Sequence, residues 1–266
     1  HWRHVTGAPL PLVAYRFDGT FEGLLCCVFD AYPLKRFPAL LLCAGDISPL
    51  MVRGVPTVIT SRDNADRVLA GISRRLSREG RNTLLLAFLS ELPGIATLLF
   101  QYSRKVLDGP ASKEGDFTDE DMLTVDQIAR KVYCEHHHLL GFARFQKTAE
   151  GIYFAALRPR YNVLSLMLPH FMDRFAGHQW IIYDGPRGFG YFHDQGSIKD
   201  ITLDCPLAKD GSLPGELLAE DEHTYQEMWR GYFTATAIRD RINPKLQARC
   251  MPRRYWPFML ETRRDA

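Results

Sequence analysis

The stretch from residue 141 to residue 194 constrains the fold most, because two different structural periods alternate within it. Aromatic and β-branched residues, which are typical of strands, dominate four segments: 141–146, 152–158, 179–184 and 188–193. Between the second and third segments, apolar residues recur at three- and four-residue steps, as they do in a helix. Turn residues separate these segments. The order β-β-α-β-β predicts an antiparallel sheet with the helix across one face.

The helix is predicted over residues 162–176, with an apolar face turned towards the sheet. We expect five side chains of this face to be buried: Val163, Leu164, Met167, Phe171 and Phe175. Pro169 lies within the segment and lacks a backbone N–H, so it predicts a kink or a restart of the helix.

The remaining sequence predicts an α+β protein with helices before and after this sheet. A mostly helical N-terminal region is expected over residues 1–110, with a strand at 55–60. The polar segment 108–116 is the candidate linker. Residues 117–266 should form the antiparallel sheet module with flanking and C-terminal helices. One compact unit remains the alternative.

The overall charge does not indicate a partner, but its distribution does. The chain has 33 bases and 31 acids, a net charge of +2, whereas residues 239–266 contain eight bases and three acids. A basic end of this kind predicts an anionic partner, and a solvated surface is the alternative. The six cysteines are scattered without a Cys-x-x-Cys pair, which favours the reducing cytoplasm. No apolar run is long enough to span a bilayer, so no membrane partner is expected.

Residues 135–138 have the sequence Glu-His-His-His, which raises the question of a metal site. A protein zinc site needs about four ligands, and nothing in the sequence fixes a third among His170, His178 and His193. We therefore predict no bound metal and no cofactor. A structural hydrogen bond or a general-base role for one histidine remains open.

Four residues are candidates for acid–base chemistry: Glu135, His138, Asp184 and His193. A histidine would act as the base and a carboxylate as its partner. The alternative is structural, because Asp184 precedes Gly185-Pro186, and an aspartate at such a position commonly bonds the backbone of a turn.

Nucleic-acid binding is indicated by arginines that alternate with aromatic residues. Arginines can hold phosphates while aromatic faces stack on bases. The candidate binding residues are Arg144, Arg158, Arg174, Arg187, Arg253, Arg254, Tyr255 and Trp256. Aromatic residues in strands are also ordinary core residues.

The C-terminal segment 251–260 is too apolar for a disordered tail, so we expect it to pack onto the sheet module. This packing predicts that Arg253 and Arg254 border a phosphate-binding cleft shared with Arg144 or Arg158. Crowded like charges of this kind require an acid or an anionic ligand.

Several stretches resemble an uncharacterised bacterial family described as probable DNA metabolism proteins. They include EHHHLLGFARF at 135–145, RPRYNVLSLMLPHFMDRF at 158–175 and WIIYD at 180–184. Further matches are residues 15–32, 229–233, 241–243 and 251–256. The resemblance implies a neighbouring radical-SAM protein described as a putative DNA modification or repair factor. Related modules are fused to domains similar to uracil-DNA glycosylases. In those fused relatives, His138 and Arg144 have counterparts, whereas Leu139-Leu140 replace a Lys-Met pair.

The first reading is therefore a DNA repair or modification accessory protein that binds DNA, single-stranded or damaged, or a radical-SAM partner. The second is a metal-independent hydrolase or glycosylase that acts on a nucleic-acid base. The third is a scaffold for a radical-SAM enzyme that does not bind DNA.

Overall fold

A computed structural model describes residues 13–49, 52, 54–109, 118–204 and 207–263. The chain divides into two compact units, residues 1–132 and 133–266. The predicted α+β class is confirmed, since helices combine with a five-stranded sheet and helices close the chain. Residues 110–116 of the candidate linker lie outside the described residues. The linker therefore stays a prediction.

The first unit is mainly helical and contains a short parallel sheet. Its elements are β1 (Ala14–Phe17), α1 (Phe21–Leu34), β2 (Leu40–Cys43), α2 (Arg62–Ser73), α3 (Arg78–Phe88), α4 (Ile95–Asp108) and the beginning of α5 (Glu120–Phe142). Strands β1 and β2 pair in parallel with Ala14 opposite Leu40. The strand expected at 55–60 is wrong, because the chain there forms a single bridge between Thr57 and Arg16.

The core of the first unit forms around α1. Thr20 caps this helix by accepting a hydrogen bond from the backbone N–H of Gly23 at 2.9 Å. Leu24, Leu25 and Val28 are buried against side chains from α2, α3 and α4.

The second unit contains the end of α5 and the five-stranded sheet. Its strands and α-helices are β3 (Gln146–Lys147), β4 (Tyr153–Leu157), α6 (Leu164–Arg174), β5 (Trp180–Asp184), β6 (Phe189–Asp194), β7 (Ser197–Ile201), α7 (Glu222–Thr236) and α8 (Pro244–Cys250). Short 3₁₀ helices cover Gly215–Leu217, Arg239–Arg241 and Arg253–Phe258. The strand order is β3-β4-β5-β6-β7.

The sheet is mixed, and the all-antiparallel arrangement that we predicted is wrong. Strands β4 and β5 pair in parallel, with Tyr153 opposite Trp180, while the other pairs are antiparallel. The physical reason is α6, which carries the chain back along the sheet between β4 and β5. A helical crossover of this kind joins parallel strands, whereas a hairpin joins antiparallel ones.

Two further differences concern the edges of the sheet. The strand predicted at 141–146 is wrong for most of its length, because α5 continues to Phe142 and β3 covers only Gln146–Lys147. His138 and Phe142, one helical turn apart, stack with ring centroids 5.7 Å apart and support this extension. At the other edge, β7 was missed. It follows a tight turn in which Gln195 and Gly196 both have positive φ, 46° and 83°.

Helix α6 packs its apolar face as predicted for four of the five side chains. Val163, Leu164, Met167 and Phe171 are buried, and Phe175 is half-buried. The helix is continuous from Leu164 to Arg174, so Pro169 does not cause a restart. Among the described residues, no helix has both the length and the apolar character required to cross a bilayer.

The C-terminal segment packs into the second unit, which confirms that prediction. Tyr255 and Met259 are buried, and the ring of Tyr255 contacts that of Phe142 at 5.4 Å. The Asn243 side chain caps α8 by accepting a 3.0 Å hydrogen bond from the Leu246 N–H, and Pro244 occupies the first turn.

Candidate nucleic-acid interface

Glu135 is the buried centre of a hydrogen-bond network in the second unit. Its Oε1 accepts hydrogen bonds from the Tyr255 hydroxyl at 2.7 Å and from Nη2 of Arg254 at 3.2 Å. Its Oε2 accepts a 2.8 Å bond from the backbone N–H of Tyr161. The carboxylate therefore ties α5 to the β4–α6 connection and to the C-terminal segment. Each of its oxygens serves a structural bond.

Tyr255 and Arg254 complete this network. Burial raises the pKa of the Tyr255 hydroxyl, and the hydrogen bond to Glu135 raises it further. The hydroxyl therefore remains a donor, and it also accepts a 2.6 Å bond from Nη2 of Arg254. The Arg254 guanidinium lies over the Tyr255 ring at 4.5 Å. Glu135 thus supplies the acid needed to offset the charge of Arg254.

His138 lies beside this network without a hydrogen bond to it. Its half-buried ring stacks on Phe142, which in turn packs against Tyr255. The nearby His136 has a different environment. Its Nε2 lies 3.1 Å from the Leu166 carbonyl oxygen, and burial lowers the His136 pKa. Within the described residues, no group of three or more His, Cys, Asp or Glu side chains has an arrangement that could hold a metal.

Asp184 and His193 are also engaged in structural bonds. Asp184 is buried and accepts hydrogen bonds from the backbone N–H of Arg187 at 3.1 Å and from its Nη1 at 3.0 Å. His193 is buried too. Its Nδ1 lies 3.0 Å from the His178 carbonyl oxygen, and its Nε2 accepts a 3.2 Å bond from the Gly196 N–H. Nδ1 therefore carries the proton, and both ring nitrogens are occupied.

Arg144 forms a second network with a residue that the sequence did not indicate, Glu261. The guanidinium binds both carboxylate oxygens, Nε at 3.2 and 3.3 Å and Nη2 at closer range. The indole Nε1 of Trp229 donates to Oε2 of Glu261 at 3.0 Å. Burial acts to raise the pKa of Glu261, but the hydrogen bonds from Arg144 and Trp229 outweigh it and hold this pKa below its ordinary value.

A cleft of about 690 Å³ opens beside Arg144. Aromatic side chains from the α5–β3 connection, from β4 and from α7 line it: Phe145, Tyr153, Tyr225 and Trp229. Polar walls come from Arg144, Lys147, Glu222 and Gln226. Buried Glu222 is held by the backbone N–H of Lys147 at 2.9 Å, and this bond fixes the start of α7 against β3.

The aromatic wall of the cleft continues along α7 as an exposed apolar stripe. Its members recur at three- and four-residue steps and are all solvent-exposed: Tyr225, Met228, Trp229, Tyr232 and Phe233. Tyr225 is 58% exposed and Tyr232 is 61% exposed. A stripe with this spacing is ordinarily buried, so sequence reasoning missed its exposure. Contiguous exposed apolar surface marks interaction sites.

Exposed cations follow α7 in the chain. Arg241, Lys245, Arg249 and Arg253 are exposed, and none has a salt-bridge partner within the described part of the chain. Lys245 and Arg249 are four residues apart on α8, which places two positive charges on one face of that helix. Like charges so placed repel each other unless an anion lies nearby.

The other predicted binding residues are distributed around the second unit. Arg174 is exposed at the end of α6, with its guanidinium 5.7 Å from the Phe175 ring. Arg187 is held by Asp184 and by the carbonyl oxygens of Pro159 and Arg160. Trp256 is half-buried and its Nε1 donates to the Met251 carbonyl at 2.8 Å.

Arg158 lies in a separate cleft of about 360 Å³ at the carboxyl ends of the parallel strands β4 and β5. Lys209 and Phe258 also line this cleft. Arg253 and Arg254 line neither this cleft nor the one beside Arg144, so the phosphate cleft that they were predicted to share with Arg144 or Arg158 is not one of these two. Arg254 is paired with Glu135 and Arg144 with Glu261, because both carboxylates are buried and need a positive partner.

The fold and these surfaces define an α+β protein with a mixed sheet and an exposed aromatic helix beside a basic C-terminal segment. The chain belongs to the family described as a domain of unknown function, DUF4130, whose model matches residues 93–261. Comparison with curated proteins gives no match, and comparison with solved structures gives none either.

Proposed function

We propose that this protein binds single-stranded DNA through the cleft beside Arg144 and the exposed stripe of α7. The observation that carries the proposal is the continuity between the two, since Tyr225 and Trp229 belong to both. Each base in a strand has a flat face, and stacking on an aromatic side chain contributes about 1–3 kcal/mol per base. A row of exposed aromatic residues suits this role and requires no particular sequence.

The exposed cations support the same ligand. Lys147 lines the cleft, and its contact with Asp221 is long, 3.4 Å, between exposed groups. Such a pair is weak in water, so the ammonium group can exchange it for a phosphate at little cost. Lys245, Arg249 and Arg253 provide further positive charge, and no carboxylate among the described residues forms a salt bridge with them.

Arg144 has a different role in this proposal. Its guanidinium is fixed by Glu261 and by the carbonyl oxygens of Gly141 and Ala143. Glu261 already offsets its charge, so the main role of Arg144 is to shape the cleft. It also lies 5.8 Å from the Trp229 ring centroid, which orients the indole towards the cleft wall.

The biological setting that we propose is DNA repair or modification in the cytoplasm. It rests on the resemblance to probable DNA metabolism proteins, including the neighbouring radical-SAM protein expected as a partner. The five cysteines in the described residues are unpaired, which supports a reducing compartment. The candidate acid–base residues are each engaged in structural bonds or stacking, so the structure gives no support to a separate hydrolase activity.

Fluorescence anisotropy with a labelled oligonucleotide of about ten nucleotides tests the proposal. We expect binding to the single strand to exceed binding to the matched duplex, and to weaken as salt rises from about 50 to 200 mM. Equal weak binding to both forms, or no dependence on salt, would contradict DNA binding. Copurification of the radical-SAM protein without DNA binding would favour the scaffold role instead.

A further inference from the structure

The cleft of about 360 Å³ that contains Arg158 lies at the carboxyl ends of β4 and β5. These two strands pair in parallel and are joined by α6. In open α/β sheets, ligands commonly bind outside the carboxyl ends of the parallel strands. The volume of the cleft is also within the range of small-molecule sites, roughly 300–1,000 Å³. Its position and its size both suit a small ligand.

Two cations from different parts of the chain line this cleft. Arg158 directly follows β4, Lys209 lies in the loop after β7, and both side chains are exposed. Neither has a salt-bridge partner in the part of the chain that the structure describes. The described lining residues include no carboxylate. Two positive charges in one cleft without an acid favour an anionic ligand.

The acids next to the lining residues in sequence are engaged elsewhere. Asp184 precedes Gly185 and pairs with Arg187 at 3.0 Å. Asp210 follows Lys209 and pairs with Arg263, also at 3.0 Å. The charges of Arg158 and Lys209 therefore remain available to a ligand.

Tyr183 adds a hydroxyl group to the cations. Its side chain lines the cleft and is only 6% exposed. The hydroxyl has no hydrogen-bond partner among the described residues, but it is not fully enclosed. Polar groups on such buried side chains are ordinarily bonded, so this hydroxyl is available to a ligand. Gly190, which is opposite Tyr183 in the sheet, leaves room for the ring, because a Cβ there would lie 2.7 Å from a ring carbon.

The loop that carries Lys209 is held in place by its own backbone. The N–H of Ala208 donates to the Ser212 carbonyl at 3.1 Å, and the N–H of Gly211 donates to the Ala208 carbonyl at 2.9 Å. Gly211 has a φ of 77°, and a Cβ there would lie 2.8 Å from the Phe258 ring. Only glycine allows this close approach in this conformation. The cleft wall is therefore shaped before a ligand binds, which lowers the cost of binding.

We infer that this cleft binds a phosphomonoester group. An arginine can donate two parallel hydrogen bonds to a phosphate, a lysine adds a second positive charge, and the Tyr183 hydroxyl can donate a further bond. A phosphomonoester carries a charge of about −1.5 to −2 near pH 7, which matches two cations better than the single charge of a carboxylate does. Leu157, Pro186 and Phe258 provide apolar walls for the uncharged part of the ligand.

Two sources supply such a group: the 5′-phosphate at the end of a DNA strand and a free organic phosphate such as a nucleoside monophosphate. The inference does not depend on the DNA binding proposed above, because none of the α7 aromatic residues lines this cleft.

Calorimetric titration with thymidine 5′-monophosphate tests the inference, and thymidine is the probe that lacks the phosphate. We expect the wild-type protein to bind the monophosphate at least about tenfold more tightly than thymidine. Arg158→Gln and Tyr183→Phe should each weaken binding of the monophosphate about tenfold, because each removes a donor to a charged group. Both variants should fold, since Arg158 is exposed and Tyr183→Phe removes only an unbonded hydroxyl.

Arg160→Gln is the matched control. Arg160 is exposed and two residues from Arg158, but it does not line the cleft, so this variant should keep the wild-type affinity. An equal loss of affinity in Arg158→Gln and Arg160→Gln would overturn the site. Equal binding of thymidine and its monophosphate by the wild-type protein, or no binding of either, would overturn the phosphate class.

Oligonucleotides with a 5′-phosphate and with a 5′-hydroxyl distinguish the two sources. If the ligand is a strand end, the phosphate should tighten binding about tenfold in the wild-type protein and not in Arg158→Gln. If the ligand is a free organic phosphate, both strands bind alike and the monophosphate still binds. Binding of the monophosphate without binding of either strand would contradict the proposed function and retain this site. Binding of the 5′-hydroxyl strand without binding of the monophosphate would do the reverse.

Discussion

The hydroxyl of Tyr255 donates a 2.7 Å hydrogen bond to Oε1 of Glu135, across 120 residues of sequence. Both side chains are buried, with Glu135 only 2% exposed. The bond anchors the C-terminal segment to α5. Its loss would leave a buried carboxylate with fewer donors, which is costly in a nonpolar surrounding.

Tyr255→Phe should therefore lower the free energy of unfolding. A hydrogen bond to a charged group contributes about 1.5–3 kcal/mol, and the substitution removes it with little change in volume. Urea unfolding followed by circular dichroism measures the effect. Tyr232→Phe is the control, because that side chain is exposed, and a loss no larger than in this control would contradict the structural role of the bond.

The sequence indicated each of these two residues, but it did not indicate that they bond to each other. Glu135 and Tyr255 were both candidate site residues, and packing of segment 251–260 followed from its apolar content. Their pairing depends on the tertiary fold, since no local spacing relates residues 120 positions apart. The same limit explains the sheet: local patterns located β4, β5 and β6, whereas the parallel direction of β5 depends on the α6 crossover.

Glu261→Gln should make the free energy of unfolding depend less on pH in the acid range. The folded-state pKa of Glu261 lies below its ordinary value of 4.5, so the charged form stabilises the folded protein above that value. This contribution is lost as pH falls through the lower, folded-state pKa. We expect Glu261→Gln to cost roughly 2 kcal/mol near pH 7 and much less near pH 3, because only the ionised carboxylate pairs with Arg144.

Urea unfolding of the wild-type protein and the variant at both pH values measures this difference. Glu227→Gln is the matched control, since Glu227 is exposed on α7 and its carboxylate lies 3.7 Å from Nδ1 of His223. A constant difference between Glu261→Gln and the wild-type protein across the pH range would contradict a lowered folded-state pKa of Glu261.

Loss of exposed α7 aromatics should weaken DNA binding without loss of stability. Tyr225→Ala and Tyr232→Ala each remove a ring that is more than half exposed, so the fold loses little packing. Each should raise the dissociation constant for a single strand by about 5- to 100-fold, the equivalent of one stacked base. Anisotropy titration measures this change. Tyr133→Ala, an exposed tyrosine on α5, is the control, and an equal loss there would contradict a specific role for α7.

Charge loss on α8 should reduce the salt dependence of binding. Lys245→Ala and Arg249→Ala each remove one phosphate contact, so the slope of log affinity against log salt should fall by about 0.7 per substitution. The slope is measured by titrations at several salt concentrations. Lys199→Ala removes the same charge from the edge strand β7, opposite the β3 edge, and should leave the slope unchanged. Identical slopes in all three variants would contradict phosphate contacts at α8.

The candidate interface was less predictable than the fold. Arginines identified from their alternation with aromatic residues became ion-paired once folded, as Arg144, Arg187 and Arg254 show. A sequence does not reveal which carboxylate neutralises each of them. The stripe of α7 was visible as helical periodicity, but that pattern is the same for a buried and an exposed face. Only the tertiary structure separates these cases.

Photocrosslinking measures the central proposal most directly. A single strand carrying 5-iododeoxyuridine is irradiated with the full-length protein, and the crosslinked peptides are identified by mass spectrometry. The base reacts with aromatic side chains that it contacts, so we expect crosslinks at Tyr225, Trp229 or Tyr232 on α7, and fewer of them as salt rises. Crosslinks confined to the first unit, or none above the level of a duplex control, would contradict DNA binding at this surface.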